Sequence, residues 1–145
     1  MEYKKFSDSF YLRCDRDDDI IDCVLSLCKK EKILSATFSG IGCCLDVSLS
    51  VINPQTLKFE PYRKTGVLEM TSINGSISSD DSDNIFIHAH AMFSYKDHNN
   101  DYHSIGGHLL KATIAYTGEI VLNPVKDGVI RRQIDPKTGI TVWKL

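Results

Sequence analysis

The sequence predicts an α+β protein, a single domain over residues 1–145 in which a strongly curved, mainly antiparallel β-sheet or barrel is covered by one main helix. Three observations carry this. One segment alone, starting at Ile20, spaces its apolar residues as a helix does. From Ser35 onward the runs are rich in β-branched and apolar residues. Turn signals such as Asn53-Pro54 and Asn123-Pro124 separate those runs.

In chain order, Tyr3 to Leu12 alternates loosely and reads as an opening strand. Asp17-Asp18-Asp19 supplies a cap and negative charge for a helix start. Ile20, Ile21, Val24, Leu25 and Cys28 then form one apolar stripe, and Lys29, Lys30 and Lys32 place positive charge at the far end. Ala36 to Ile41 and Leu45 to Ile52 read as strands, with Gly40 and Gly42 as a bend or bulge between them. Leu57 to Tyr62 and Val67 to Ile77 follow, the latter broken near Asn74-Gly75. Ser78 to Asn84 is a surface loop, Ile85 to Tyr95 a strand, and Lys96 to Ser104 a second polar loop. His108 to Leu122 is a long strand interrupted at Gly118, and Gly139 to Leu145 closes the sheet.

Composition narrows the function. Seventeen Lys and Arg against nineteen Asp and Glu give a net charge of -2, which excludes a surface that is basic all over and leaves room only for a local nucleic-acid patch. Lys29-Lys30, Arg63-Lys64 and Arg131-Arg132 are the candidate patches. A hydrophobic content of 42% fits a globular domain. No run is long enough to span a membrane and the N-terminus lacks a secretion signal, so a cytoplasmic location is expected. Cys14, Cys23, Cys28, Cys43 and Cys44 are odd in number and lack CxxC spacing, and read as reduced, buried apolar residues.

The chemistry is concentrated in His88-Ala89-His90 and Gly106-Gly107-His108. Residues two apart on a strand share a face, so His88 and His90 project side by side. His108 follows two glycines that let the chain turn tightly and bring it close to the strand pair. Three convergent imidazoles are a divalent-metal ligand set with an open position; zinc suits them first, with nickel, copper and iron as alternatives. A cupin pattern fails, because Ser94 and Tyr95 stand where it wants a glutamate. Glu69 and Glu119 are candidates either to orient an imidazole or to act as acid or base. His98 and His103 read as solvated loop residues, with a lid over the metal as the alternative. No nucleophile elbow or phosphate loop occurs.

Five fragments in order resemble the plants and prokaryotes conserved (PPC) domain, which accompanies AT-hooks in plant nuclear proteins and stands alone in many prokaryotes. They are Ser35-Ala-Thr-Phe-Ser-Gly-Ile-Gly42, Gly66-Val-Leu-Glu69-Met-Thr-Ser72-Ile-Asn-Gly75-Ser76, His88-Ala-His90, Gly106-Gly107-His108-Leu109 and Glu119-Ile-Val-Leu122. The resemblance runs from about Phe10 to Leu122. It implies a compact α+β fold, a homotrimer and a DNA-associated role. The chain departs from plant members in having no Arg-Gly-Arg-Pro core, so the element that grips DNA is missing. Gly66-Val67-Leu68-Glu69-Met70-Thr71 replaces their partner-binding Gly-Arg-Phe-Glu-Ile-Leu, and Arg16-Asp17-Asp18-Asp19 replaces a Pro-Gly-Glu-Asp turn.

Two functional readings follow. One is a stand-alone, homotrimeric binding module of regulatory or DNA-associated role with a three-histidine metal site. The other is a metal-dependent enzyme acting on a small molecule, with Glu69 or Glu119 as acid or base.

Overall fold

A computed structural model describes all of residues 1–145. The elements run β1 (Glu2–Phe6), β2 (Ser9–Cys14), α1 (Ile20–Glu31), β3 (Ala36–Ile52), β4 (Phe59–Ser79), β5 (Ile85–Lys96), β6 (Tyr102–Pro124), β7 (Arg131–Ile134) and β8 (Thr141–Lys144). The expected class is the observed one, with one helix on a curved and almost wholly antiparallel sheet.

The sheet closes on itself. β3 pairs with β4 and β6, and β5 pairs with the same two strands, so β3, β4, β5 and β6 form a small barrel. The hairpin β1–β2 extends it beyond β6. The hairpin β7–β8 joins at the far end of β4 through one parallel pair, Ser79 opposite Arg131.

Several boundaries differ from the sequence reading. Tyr3 to Leu12 is a hairpin rather than one strand, its turn carried by Ser7 at φ 52°. Ala36 to Ile52 is one strand whose register shifts at Gly40/Gly42 and Cys44/Asp46, so the expected bend is a pair of irregularities in continuous pairing. Phe59 to Ser79 is likewise unbroken. Gly75 does not interrupt it: a Cβ there would lie 2.3 Å from the Phe38 ring, so the glycine makes room for a core aromatic on the neighbouring strand.

Helix α1 starts as its aspartates dictate. Asp19 accepts from the backbone N–H of Ile21 and Asp22, and its other oxygen accepts from Ala112 N–H at 2.9 Å, tying the helix start to β6. Lys32, in the left-handed region at φ 55°, ends the helix with its N–H directed to the Cys28 and Lys29 carbonyls. The buried stripe is Ile20, Cys23, Val24, Leu27 and Cys28. Ile21 and Leu25 are only half-buried, so the helix is rotated slightly toward its cysteines. All five cysteines are free thiols and buried. Burial pushes Cys28 and Cys44 each up to about 12.

The core is one cluster shared by the inner barrel face and the helix, and Phe93 is the largest of its fully buried side chains. Phe93→Ala should cost about 3–5 kcal/mol through lost burial and a residual cavity. A urea-unfolding free energy that fell by less than about a quarter of that amount would place the stabilising core elsewhere.

Candidate metal centre

Strand β5 alternates strictly. Ala89, Ala91 and Phe93 point into the core, which leaves His88, His90 and Met92 on the outer face. The next strand supplies the third imidazole, because His108 stands opposite His90 in register. Ring centroids are 5.3 Å apart for His88 and His90, 5.1 Å for His88 and His108, and 5.6 Å for His90 and His108. One nitrogen from each ring lies within 4.8 Å of the other two.

That donor set fits a divalent metal. Tetrahedral zinc at about 2.0–2.1 Å from each nitrogen separates the nitrogens by about 3.4 Å, which small side-chain rotations supply here. The rings are free to make them: two of the three residues are exposed, and Asn74 and Ser76 are the modest neighbours opposite His90 and His88 on β4.

Gly106-Gly107 brings His108 into place, though not as a turn. Both glycines lie inside β6, where the strand exchanges one partner for another. His108 is in register with His90 of β5 and also with Ser50 of β3. Gly107 has φ +154°, and a Cβ on it would stand 2.9 Å from the Ser50 carbonyl and 2.8 Å from a Val51 methyl. A bare backbone lets the two strands meet.

Desolvation, and next the His108 and His90 imidazoles and the Arg132 guanidinium, hold His88 below the ordinary imidazole range. Desolvation, followed by His90, does the same to His108. Both rings are therefore neutral near pH 7, the form that binds metal. The folded, metal-free chain takes up protons at these rings less readily than the unfolded chain. Their contribution to stability is complete above about pH 6.5 and is lost as pH falls through the lowered folded values. Urea midpoints of metal-free protein should thus fall as pH is lowered below about 6.5, and by less in a His88→Ala, His108→Ala double variant. An equal fall in both proteins would remove these rings as the cause.

The structure separates Glu69 and Glu119 from the histidines. Glu69 lies opposite Cys43, whose thiol is pushed up by burial and then by the Glu69 charge. It stands opposite Ser94 of β5, four positions from His90, or about 13 Å at strand rise. Glu119 pairs in register with Arg13 and lines an open groove of about 900 Å³ with Tyr11, Ile41 and Thr71. Neither carboxylate belongs to the cluster of three imidazoles. His103 stacks on Tyr95 and pairs with Asp97 at 3.0 Å at the start of β6, five positions before His108, and His98 is exposed beside it; neither ring belongs to the histidine cluster.

Two neighbours of the site escaped the sequence reading. The Phe59 ring lies 6.5 Å from His108, brought there by the β3–β4 hairpin. Arg132, from the C-terminal hairpin, lies over Phe86, two residues before His88 on the same face. Nothing local in sequence links either to the histidines, since barrel closure and the hairpin's return create both contacts.

The sequence pattern of the Plants and Prokaryotes Conserved domain (PCC, also written PPC) matches residues 1–126. The chain belongs to this family. Solved structures agree with the assignment at the level of fold. A protein from Bacteroides thetaiotaomicron, described as a candidate DNA-binding protein, superposes with a TM-score of 0.86 at 24% identity over 99% of this chain and 96% of its own. A second candidate DNA-binding protein, from Ralstonia eutropha, gives 0.84 at 26% identity over 99% and 95%. A protein from Archaeoglobus fulgidus, described as metal-containing, gives 0.82 at 25% identity over 99% and 96%. No curated protein sequence matches the chain significantly. The PPC chain has no helix long and apolar enough to cross a membrane.

Proposed function

We propose that this PPC chain is a metal-binding module, one domain over residues 1–145, acting in the cytoplasm as a homotrimer of regulatory or DNA-associated role. His88, His90 and His108 would hold a divalent cation, zinc first. The observation that carries this reading is the convergence of three imidazole nitrogens within 4.8 Å on an outer face. The description of the Archaeoglobus relative as metal-containing supports it.

The DNA-associated part draws on the two relatives described as candidate DNA-binding proteins. Two of the cationic pairs noted in the sequence are partly committed within the chain. Arg63 makes two bonds to Asp46, and Arg131 and Arg132 bond Asp83, Ser78, Ser79 and the Thr141 carbonyl. Lys29-Lys30 makes no ion pair, although Lys30 lies over the Tyr3 ring at 4.9 Å, and is the pair that a trimer would repeat three times. The trimer itself is favoured by the groove beside Ile41 and Tyr11, whose apolar side chains stand exposed.

A metal-dependent enzyme acting on a small molecule is the second reading. It is favoured by three neutral ligands facing solvent with no fourth protein donor in the cluster. A bound cation there would supply Lewis-acid polarisation of a ligand oxygen. With Glu69 and Glu119 distant, proton transfer would fall to other groups.

Metal analysis of protein purified without an affinity tag tests the shared premise. About one equivalent per chain supports it, and less than about a tenth of an equivalent overturns it. Sedimentation as a monomer would remove the trimer. Gel shifts over a salt series test DNA: no complex with any duplex at low salt removes that role, because non-specific affinity is greatest there.

A further inference from the structure

The strands β7 and β8 lie beyond the family-matched residues and fold back over the outer barrel face at the histidine end. Arg132 is the residue they insert there. It donates to Ser78 Oγ at 3.0 Å and to the Thr141 carbonyl at 2.7 Å, and its guanidinium carbon lies 5.8 Å from the centre of the Phe86 ring. Ser78 opposes Phe86 and Ser76 opposes His88, so the guanidinium sits one strand step from the histidine cluster on the same face. Its Nε–H is buried and has no partner, and only two of its five N–H donors are used.

Charge gives this placement its consequence. Three neutral imidazoles leave a bound divalent cation with its full charge, and Arg132 adds another positive charge next to it. No carboxylate belongs to the cluster. Two acidic groups at this end are already engaged: Asp83 accepts from Arg131 at 2.7 Å, and the Asp80 carboxylate accepts from Ser82 and Asn84. A cation beside an unneutralised guanidinium is unfavourable unless an anion lies between them.

Resting on the metal-site reading, we infer that Arg132 is an anion-binding arm of the histidine site, and that the site takes a small carboxylate held between the metal and the guanidinium. Arginine's fork of donors matches a carboxylate's two oxygens, and Phe86 beneath it fixes the plane of the fork. The Phe59 ring beside His108 walls the opposite side, which favours a short, partly apolar acid over a bulky one.

Cobalt(II) in place of zinc gives a visible spectrum that reports its ligands without any activity. Full-length protein loaded with cobalt should change its spectrum on titration with acetate, and respond far less to acetamide, which has the same shape without the charge. Arg132→Gln should weaken acetate binding about tenfold or more with cobalt stoichiometry unchanged, and Arg132→Lys, keeping charge but losing the fork, should fall between. If the glutamine variant misfolds by circular dichroism, the acetate–acetamide contrast in the unaltered protein and the lysine variant decide. Failure to load cobalt would remove the metal reading and this inference together. Loading with equal responses to acetate and acetamide, or equal acetate affinity in the unaltered and Arg132 variants, would remove this inference alone.

Discussion

Alanine at His108 is expected to lower divalent-metal affinity by more than about 100-fold while the chain stays folded. Loss of a group that merely orients a ligand costs about 10–100-fold in other metal sites, and His108 is argued to be a ligand itself. Its two partners would remain on β5, but two imidazoles 5.3 Å apart leave half of a tetrahedral shell to water. The fold should tolerate the change, because His108 is only half-buried, makes no side-chain hydrogen bond within the chain, and lies outside the core cluster. Competition with a chromophoric zinc chelator measures the affinity, and circular dichroism checks the fold. Unchanged zinc affinity in folded His108→Ala protein would show that the third ligand lies elsewhere.

The legible and illegible parts of this site divide along a physical line. Strand alternation placed His88 and His90 on one face, and that inference needed nothing beyond the period of two. His108 could be nominated because glycines beside a histidine signal close approach. The form of the approach was hidden: Gly106-Gly107 looks like a turn locally, and only the exchange of β5 for β3 as partner shows that both residues are extended strand. Gly75 misled in the same way, since its need for glycine comes from Phe38, thirty-seven positions earlier. Glu69 and Glu119 are acidic residues in strands of the same sheet as the histidines. In a closed barrel, membership of one sheet does not imply contact: Glu69 faces Ser94, four positions from His90, and Glu119 is eleven positions from His108 along β6. The hairpin carrying Arg132 sits in a polar C-terminal stretch whose two arginines read as a surface patch. Its position depends on Ser78, Ser79 and Asp80 bonding those arginines, a long-range pairing without a sequence period.

The strand exchange at Gly107 also predicts a large backbone effect. Gly107→Ala should destabilise the chain by about 2–4 kcal/mol and weaken metal binding with it. Two costs combine. A φ of +154° is poorly populated by residues with a Cβ, at about 1–3 kcal/mol. The added carbon also meets the Ser50 carbonyl at 2.9 Å, and a backbone atom held in a ladder cannot swing aside as a side-chain tip can. Relief requires β3 and β6 to part, and His108 is the next residue along β6, so the imidazole must move with them. Gly66 provides the control. It too has a positive φ, +114°, yet a Cβ there has nothing within 4 Å. Gly66→Ala should therefore show the conformational cost alone and leave zinc affinity untouched. Denaturant midpoints and zinc competition on both variants separate the terms. Equal losses of stability with equal zinc affinity would mean that the close approach of β3 to β6 does nothing to hold His108 in position.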